Sequence, residues 1–264
     1  MKKLLKYILN LFNYTLLNNE LITRSDDPVH LVSKILDVDK VKIIVDGGAS
    51  IGDTSKNFSD TFQNATVHAF EPFTKFFLIL KENSKNHKKI IPYCCALSNS
   101  SSSAHLNINV SEDTNSLLNS EIQKTNPHCD LLETKKSIQV DTEPLDVLFP
   151  KETIDVLKLD LQGGEYNALQ GAENLLKQGR IKCIICEVMF QKSYKNQRNG
   201  SELIMYLEQH GFNIFNFCQN HYHHGELLQS DMIFYHKSIS SDVERLKKEN
   251  FLPFSKYLTK QYVE

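Results

Sequence analysis

A chain of 264 residues, 41% of them hydrophobic, is long enough for one large α/β domain and short for two. Its 30 basic and 32 acidic side chains leave a formal charge of −2, which excludes the strongly electropositive character of a general nucleic-acid binder. Six cysteines, Cys94, Cys95, Cys129, Cys183, Cys186 and Cys218, lie mostly in apolar runs without disulfide-like spacing and read as reduced thiols of a cytoplasmic protein.

Residues 1–24 place Leu4, Ile8 and Leu11 beside Leu5, Leu9, Phe12 and Leu16 on adjoining helical rows, behind Lys2, Lys3 and Lys6. Asn10 and Asn13 interrupt a run already short of the ~20 apolar residues of a membrane span, and no small-x-small cleavage site follows. The segment is expected to dock on the domain body or on a second subunit, so an oligomer stays open. The alternative is a peripheral contact of residues 1–20 with the inner face of an anionic membrane. With a short helix over 28–36 it forms an N-terminal region, 1–40, ahead of a main domain, 41–240; a charged helix and tail occupy 241–264.

Val41, Ile43, Ile44 and Val45 predict a buried parallel strand. It stops at Asp46, Gly47 and Gly48, and with Gly52 the chain turns tightly into a helix whose first amides point above the strand. The G-x-G-x-x-G of a dinucleotide site is absent, which disfavours an NAD-dependent oxidoreductase. The spacing D-x-G-x-x-x-G, through Asp46, Gly48 and Gly52, resembles motif I of the class I S-adenosylmethionine-dependent methyltransferases, with Ser50 where many members carry a further glycine. That resemblance implies S-adenosylmethionine as cofactor. It also implies that the glycines and Ser50 make room for its methionine and ribose, and that Asp46 is oriented towards the turn and the cofactor's amino group.

A second strand, 66–70, ends in Glu71-Pro72. A carboxylate at that tip suits a ribose, because its two oxygens accept from two hydroxyls at once. A helix over 74–84 leads to a third strand, 90–96, whose end, Ala96 to Ser98, is expected near an adenine without an acidic partner for the exocyclic amine. Ala104 to Val110 alternates apolar and polar residues, an added strand pairing as a hairpin. Residues 111–136 are polar and aperiodic, a long insertion that reads as a candidate lid, with Asn115, Ser116 and His128 in reach of a substrate. A short strand and a helical turn follow over 138–149.

The apolar run Ile154 to Leu159 delivers Asp160 at its C-terminal end; Gly163 and Gly164 turn the chain, and Glu165 opens a helix. Lys158, Leu159, Asp160, Gln162, Gly163, Glu165, Leu169, Gly171 and Ala172 together resemble the K-[IL]-D-x-[EQ]-G-x-E-x-x-x-L-x-G-A motif of the FkbM family of methyltransferases. Glu71-Pro72, Thr142 to Asp146 and Glu187 fall in the same family order, and the resemblance covers 41–236. It implies a Rossmann-like class I methyltransferase fold: a mostly parallel, seven-stranded twisted sheet with helices on both faces, here with the hairpin added after strand three. It also implies transfer of a methyl group to a hydroxyl of a sugar or secondary metabolite.

In the strand 181–190, Cys183 and Cys186 point to opposite faces, and Glu187 stands at the same sheet edge as Asp46, Glu71 and Asp160. A helix over 200–210, capped by Ser201, and strands over 212–217 and 231–236 complete the order. The loop 218–230 carries His221, His223 and His224; His223 is a candidate base, with an exposed polar hairpin as the plainer account. The reading is thus an O-methyltransferase acting on a small-molecule or glycan acceptor, with no metal. Asp160, Glu187 and His223 are the catalytic candidates, and Asp46, Gly48, Ser50, Gly52, Glu71 and Asp160 the cofactor residues. A non-catalytic cofactor-binding or scaffold protein on the same fold is the rival.

Overall fold

The computed structural model describes residues 26–121 and 130–251. The N-terminal amphipathic segment, His128, Cys129 and the end of the C-terminal tail lie outside the described residues. Among those described, no helix is long and apolar enough to cross a membrane.

Strands β1 (Ile43–Gly47), β2 (Thr66–Phe70), β3 (Ile90–Tyr93), β7 (Ile154–Leu159) and β8 (Ile181–Met189) are parallel; β9 (Phe212–His223) and β10 (Glu226–His236) complete the sheet. The order is β3-β2-β1-β7-β8-β10-β9, with β10 antiparallel to both neighbours. Strands covered on both faces are apolar on both. In β1, Ile44 enters one core with Val67 and Val156, while Val45 enters the other with Leu157 and Leu159.

Helices pack on each face. The first core takes α1 (Pro28–Ser33), α2 (Asp53–Thr61), α3 (Thr74–Asn83) and later α8 (Ser240–Asn250), through Val29, Phe58, Leu80 and Val243. The second takes α4 (Leu145–Leu148), α5 (Glu165–Gln170), α6 (Glu173–Lys177) and α7 (Gly200–Gln209), through Leu145, Leu169, Leu175 and Leu203. Cys183 belongs to the first core and Cys186 to the second, so the C-x-x-C pair is split by the sheet; Cys94, by contrast, is exposed.

Two local expectations change. The added pair is larger than a hairpin: β5 (Ser102–Asn109) runs antiparallel to β6 (Thr134–Glu143), and β6 also pairs in parallel with β4 (Ala96–Leu97), giving a separate three-stranded sheet. The cap of α7 is Asn199 rather than Ser201. Asn199 Oδ1 accepts from Ser201 N at 3.1 Å and Glu202 Oε2 accepts from Asn199 N at 2.9 Å, a capping box that begins before the serine.

Candidate active site

The carboxyl ends of β1, β2 and β7 frame an open cleft of about 830 Å³, its mouth included. Gly48, Ser50, Glu71 and Asp160 line it, together with Pro72, Phe76 and Leu97 on the apolar side.

The glycine turn is built differently from its sequence reading. Gly48 N and Ala49 N both donate to Phe70 O at 3.0 Å, and Ser50 N donates to Glu71 Oε2 at 2.9 Å. The first amides of the turn therefore fasten it to the end of β2 and are not free for a ligand. Gly48 has φ +73°, and a Cβ there would lie 1.9 Å from the carbonyl oxygen of Asp160, so the glycine lets the β1 and β7 turns touch.

Glu71, 7% exposed, has each carboxylate oxygen set by one backbone donor: Oε2 by Ser50 N and Oε1 by Phe73 N at 2.8 Å. The remaining lone pairs are held at fixed angles beside the cleft. Burial pushes its pKa up to about 7, against the partial relief of those two N–H groups and the Lys158 ammonium; Asp46 adds to the rise.

Asp46 does not line the cleft. It is fully buried beneath the turn, where Oδ2 accepts from Ser55 Oγ at 2.6 Å and Oδ1 lies 3.4 Å from Lys158 Nζ. Asp46 and Lys158 are register partners on neighbouring parallel strands and so share a face. The Lys158 ammonium also donates to Gly48 O at 3.1 Å and lies 3.5 Å from Asp160 Oδ2. Burial works against its charge, but Asp160, Asp46 and Asp231 outweigh that and hold its pKa above the ordinary lysine value. Lys158, read in the sequence as a motif position without a site role, ties the β1 turn, a buried carboxylate and the cleft carboxylate to one cation.

Asp160 is fixed from its other side by Gln162, whose Nε2 lies 2.9 Å from Asp160 Oδ1 and 3.1 Å from Glu187 Oε2. Gln162 adopts φ +52°, unusual without glycine, and its Oε1 lies 3.0 Å from the hydroxyl of the fully buried Tyr194. Glu187 stands behind Gln162, not in the cleft wall, and Gln229 Nε2 donates to its other oxygen at 2.8 Å. Burial, with Asp160, Glu165 and Asp231 nearby, raises its pKa well above the usual carboxylate range. Its reach to a ligand runs through Gln162, a positioning part. His223 is not among the cleft residues; it lies at the tip of the β9–β10 hairpin, paired with Glu226, its ring centroid 4.0 Å from that of His224 and tilted by 58°.

Residues 112–117 of the insertion cross the cleft as a strap. Glu112 pairs with Lys75 on the β2 side, whereas Thr114 O accepts from Tyr194 OH at 3.0 Å and Ser116 Oγ donates to Gln162 O at 2.7 Å on the β7 side. Glu112, Asp113, Asn115 and Leu117 face the cleft.

This strand order, with a carboxylate at the tip of β2 and another after β7, defines the class I methyltransferase fold. Residues 46–214 match the family model of the methyltransferase FkbM domain. The chain belongs to the FkbM methyltransferase family.

Its fold is similar to that of the methyltransferase FkbM from Methylobacillus flagellatus KT, with a TM-score of 0.51 at 14% identity over 83% of this chain and 50% of that one. The chain thus spans half the length of that relative. Magnesium protoporphyrin IX methyltransferase from Synechocystis PCC 6803 gives a TM-score of 0.48 at 9% identity, over 82% of this chain and 81% of that one. An rRNA methylase from Streptococcus thermophilus gives 0.47 at 12%, over 80% and 96%. No curated protein matches the sequence.

Proposed function

We propose that the chain is an S-adenosylmethionine-dependent O-methyltransferase acting on a hydroxyl of a saccharide or related polar metabolite. Family membership supports methyl transfer, and the observation that carries the cofactor is Glu71. A carboxylate with both oxygens pre-aimed by backbone N–H groups, at the cleft's edge and between a glycine turn and apolar walls, is suited to two adjacent ribose hydroxyls. Gly48, Ser50 and Asp160 border the same space, so the residues present fit a nucleoside carrying an amino acid. Gly52 is set back: a Cβ there would meet Leu80 at 2.7 Å, which makes it a packing residue for the start of α2.

Bound S-adenosylmethionine would supply an electrophilic methyl group on its sulfonium: an aligned hydroxyl oxygen bonds to that carbon as the C–S bond breaks and S-adenosylhomocysteine leaves with the electron pair. The chain's contribution is positional. Asp160 accepts the hydrogen bond, and then the proton, of an acceptor hydroxyl held over the end of β7. Lys158 and Gln162 hold one carboxylate oxygen each, so Asp160 offers its remaining lone pairs in one orientation. The roof of residues 112–117 limits water above that point.

The cofactor assignment is checked by thermal shift of the purified full chain. S-adenosylmethionine at about 100 times its Kd should stabilise by about 2.7 kcal/mol, a rise of several degrees, and NAD at the same concentration should not. Equal shifts with both, or none with either, count against the reading.

A further inference from the structure

The described lining of the cleft carries four carboxylates, more than the net single positive charge of a bound S-adenosylmethionine would offset. Glu71, Glu112, Asp113 and Asp160 line the cleft, and among its described lining residues there is no lysine, arginine or histidine. The two nearest cations stand outside: Lys75 on the outer side of Glu112, and Lys158 behind Asp160, bound to Gly48 O and flanked by Asp46. A ligand in this space meets hydrogen-bond acceptors on most sides.

Among the described lining side chains the donors are the Ser50 hydroxyl, the Gln162 amide already bonded to Asp160 and Glu187, and one further amide. Asn115 Nδ2 is buried without a hydrogen-bond partner in a side chain that lines the cleft. Its orientation is settled by the opposite atom: Asn115 Oδ1 accepts from Asn109 N at 2.9 Å, and a flip would set the amide nitrogen against that N–H. The backbone around it is held too. Thr114 O accepts from Tyr194 OH, Ser116 Oγ donates to Gln162 O, and Ser116 N and O bridge to Asn107. A buried donor left unpaired costs on the order of 1–3 kcal/mol, and a fixed frame prevents its relaxing onto a neighbour. It is poised for an oxygen brought by a ligand.

Resting on the methyl-transfer reading, we propose that this cleft selects uncharged or cationic hydroxylated acceptors and excludes anionic ones, with Asn115 Nδ2 donating to an oxygen of the acceptor. The neighbours of Asn115, Thr114 and Ser116, are anchored to Tyr194 and Gln162, on the β7 side of the cleft that Asp160 also lines. A hydroxylated acceptor satisfies both groups, giving a proton towards Asp160 and taking one from Asn115. A uronate or sugar phosphate would set its charge among Glu112, Asp113 and Asp160 with no cation of the lining to meet it.

The test uses the full chain and isotopically methyl-labelled S-adenosylmethionine, whose binding is measured first by calorimetry. Equal concentrations of a neutral hexoside, an amino sugar, a uronic acid and a hexose phosphate, each also as a short oligosaccharide, are then offered together. Label is expected in the neutral or amino sugars at about tenfold or more over the anionic ones. Label in the uronate or phosphate, or in none of the panel while the cofactor binds, overturns the proposal; absence of cofactor binding defeats the methyl-transfer reading beneath it.

Asn115→Asp keeps the oxygen that Asn109 N–H needs, removes the donor and adds a carboxylate beside Glu112 and Asp113. It should lower kcat/KM for the labelled acceptor about tenfold or more while cofactor affinity stays within about twofold. Unchanged kcat/KM, or an equal loss of cofactor affinity, overturns the role given to Asn115.

Discussion

Lys158→Met should destabilise the protein by about 3–5 kcal/mol, the usual consequence of stripping one partner from a buried ionic cluster. For a chain of this size that is a fall in Tm of roughly 10 °C. Lys158 is 8% exposed and Asp46 is fully buried, with Oδ1 otherwise without a hydrogen bond, so the variant leaves an uncompensated carboxylate under the glycine turn. The second change Asp46→Asn, made in the Lys158→Met background, removes that charge and should recover part of the loss. Differential scanning fluorimetry of the wild type, both single variants and the double variant reads this directly. Strict additivity of the two single changes would show that the ammonium and the buried carboxylate do not depend on each other.

Glu71→Ala should weaken binding of S-adenosylhomocysteine about 100-fold, as expected for the loss of two hydrogen bonds to a charged group. Because Glu71 also fastens Ser50 N and Phe73 N, part of any loss could come from a loosened turn. The 2′-deoxy analogue separates the two causes: the wild type should prefer the ribo form by about tenfold, and the variant should not discriminate. A preference that survives in Glu71→Ala would take the residue away from the sugar.

The same carboxyl sets a pH dependence. With its pKa raised to about 7 in the free protein, Glu71 is ionised above that value and protonated below it. Only the ionised form accepts from two hydroxyls, so binding favours deprotonation. Affinity for S-adenosylhomocysteine should be level above neutrality and fall by up to about tenfold per unit as pH drops below 7, until the carboxyl of the complex itself takes up a proton. Calorimetry between pH 5.5 and 8 with flat affinity would refute this.

The strands and their terminal carboxylates were legible in the sequence because their signals are local. Ile43 to Val45 followed by glycines, and Ile154 to Leu159 followed by Asp160, each declare a buried strand and its turn within ten residues. Which way a side chain faces at the end of such a strand is not local. Asp46 precedes the glycines as a cofactor carboxylate would, yet it turns inward because Ser55 and Lys158 await it there.

Lys158 and Gln162 stand in the family motif, but their contacts, like those of Tyr194, escape sequence reasoning for the same cause. Lys158 meets Gly48 across 110 positions, and Tyr194 meets Thr114 across 80, so no spacing rule reports either contact. The cap of α7 was within reach: Asn199 and Glu202 have capping-box spacing, but the neighbouring Ser201 offered a competing signal. His223 looked chemical by residue type alone, and the length of the β9–β10 hairpin carries it past the site.

The strap over the cleft divides the labour of the molecule in a way that bears on its descent. The groups proposed to grip a nucleoside, Gly48, Ser50, Glu71 and Asp160, stand at the ends of strands whose side chains enter two cores. Those that meet whatever lies opposite belong to an inserted loop, fastened at its two sides by one ion pair and a few hydrogen bonds. Lineages sharing this scaffold are therefore free to rewrite the loop and acquire new targets while inheriting the donor chemistry intact.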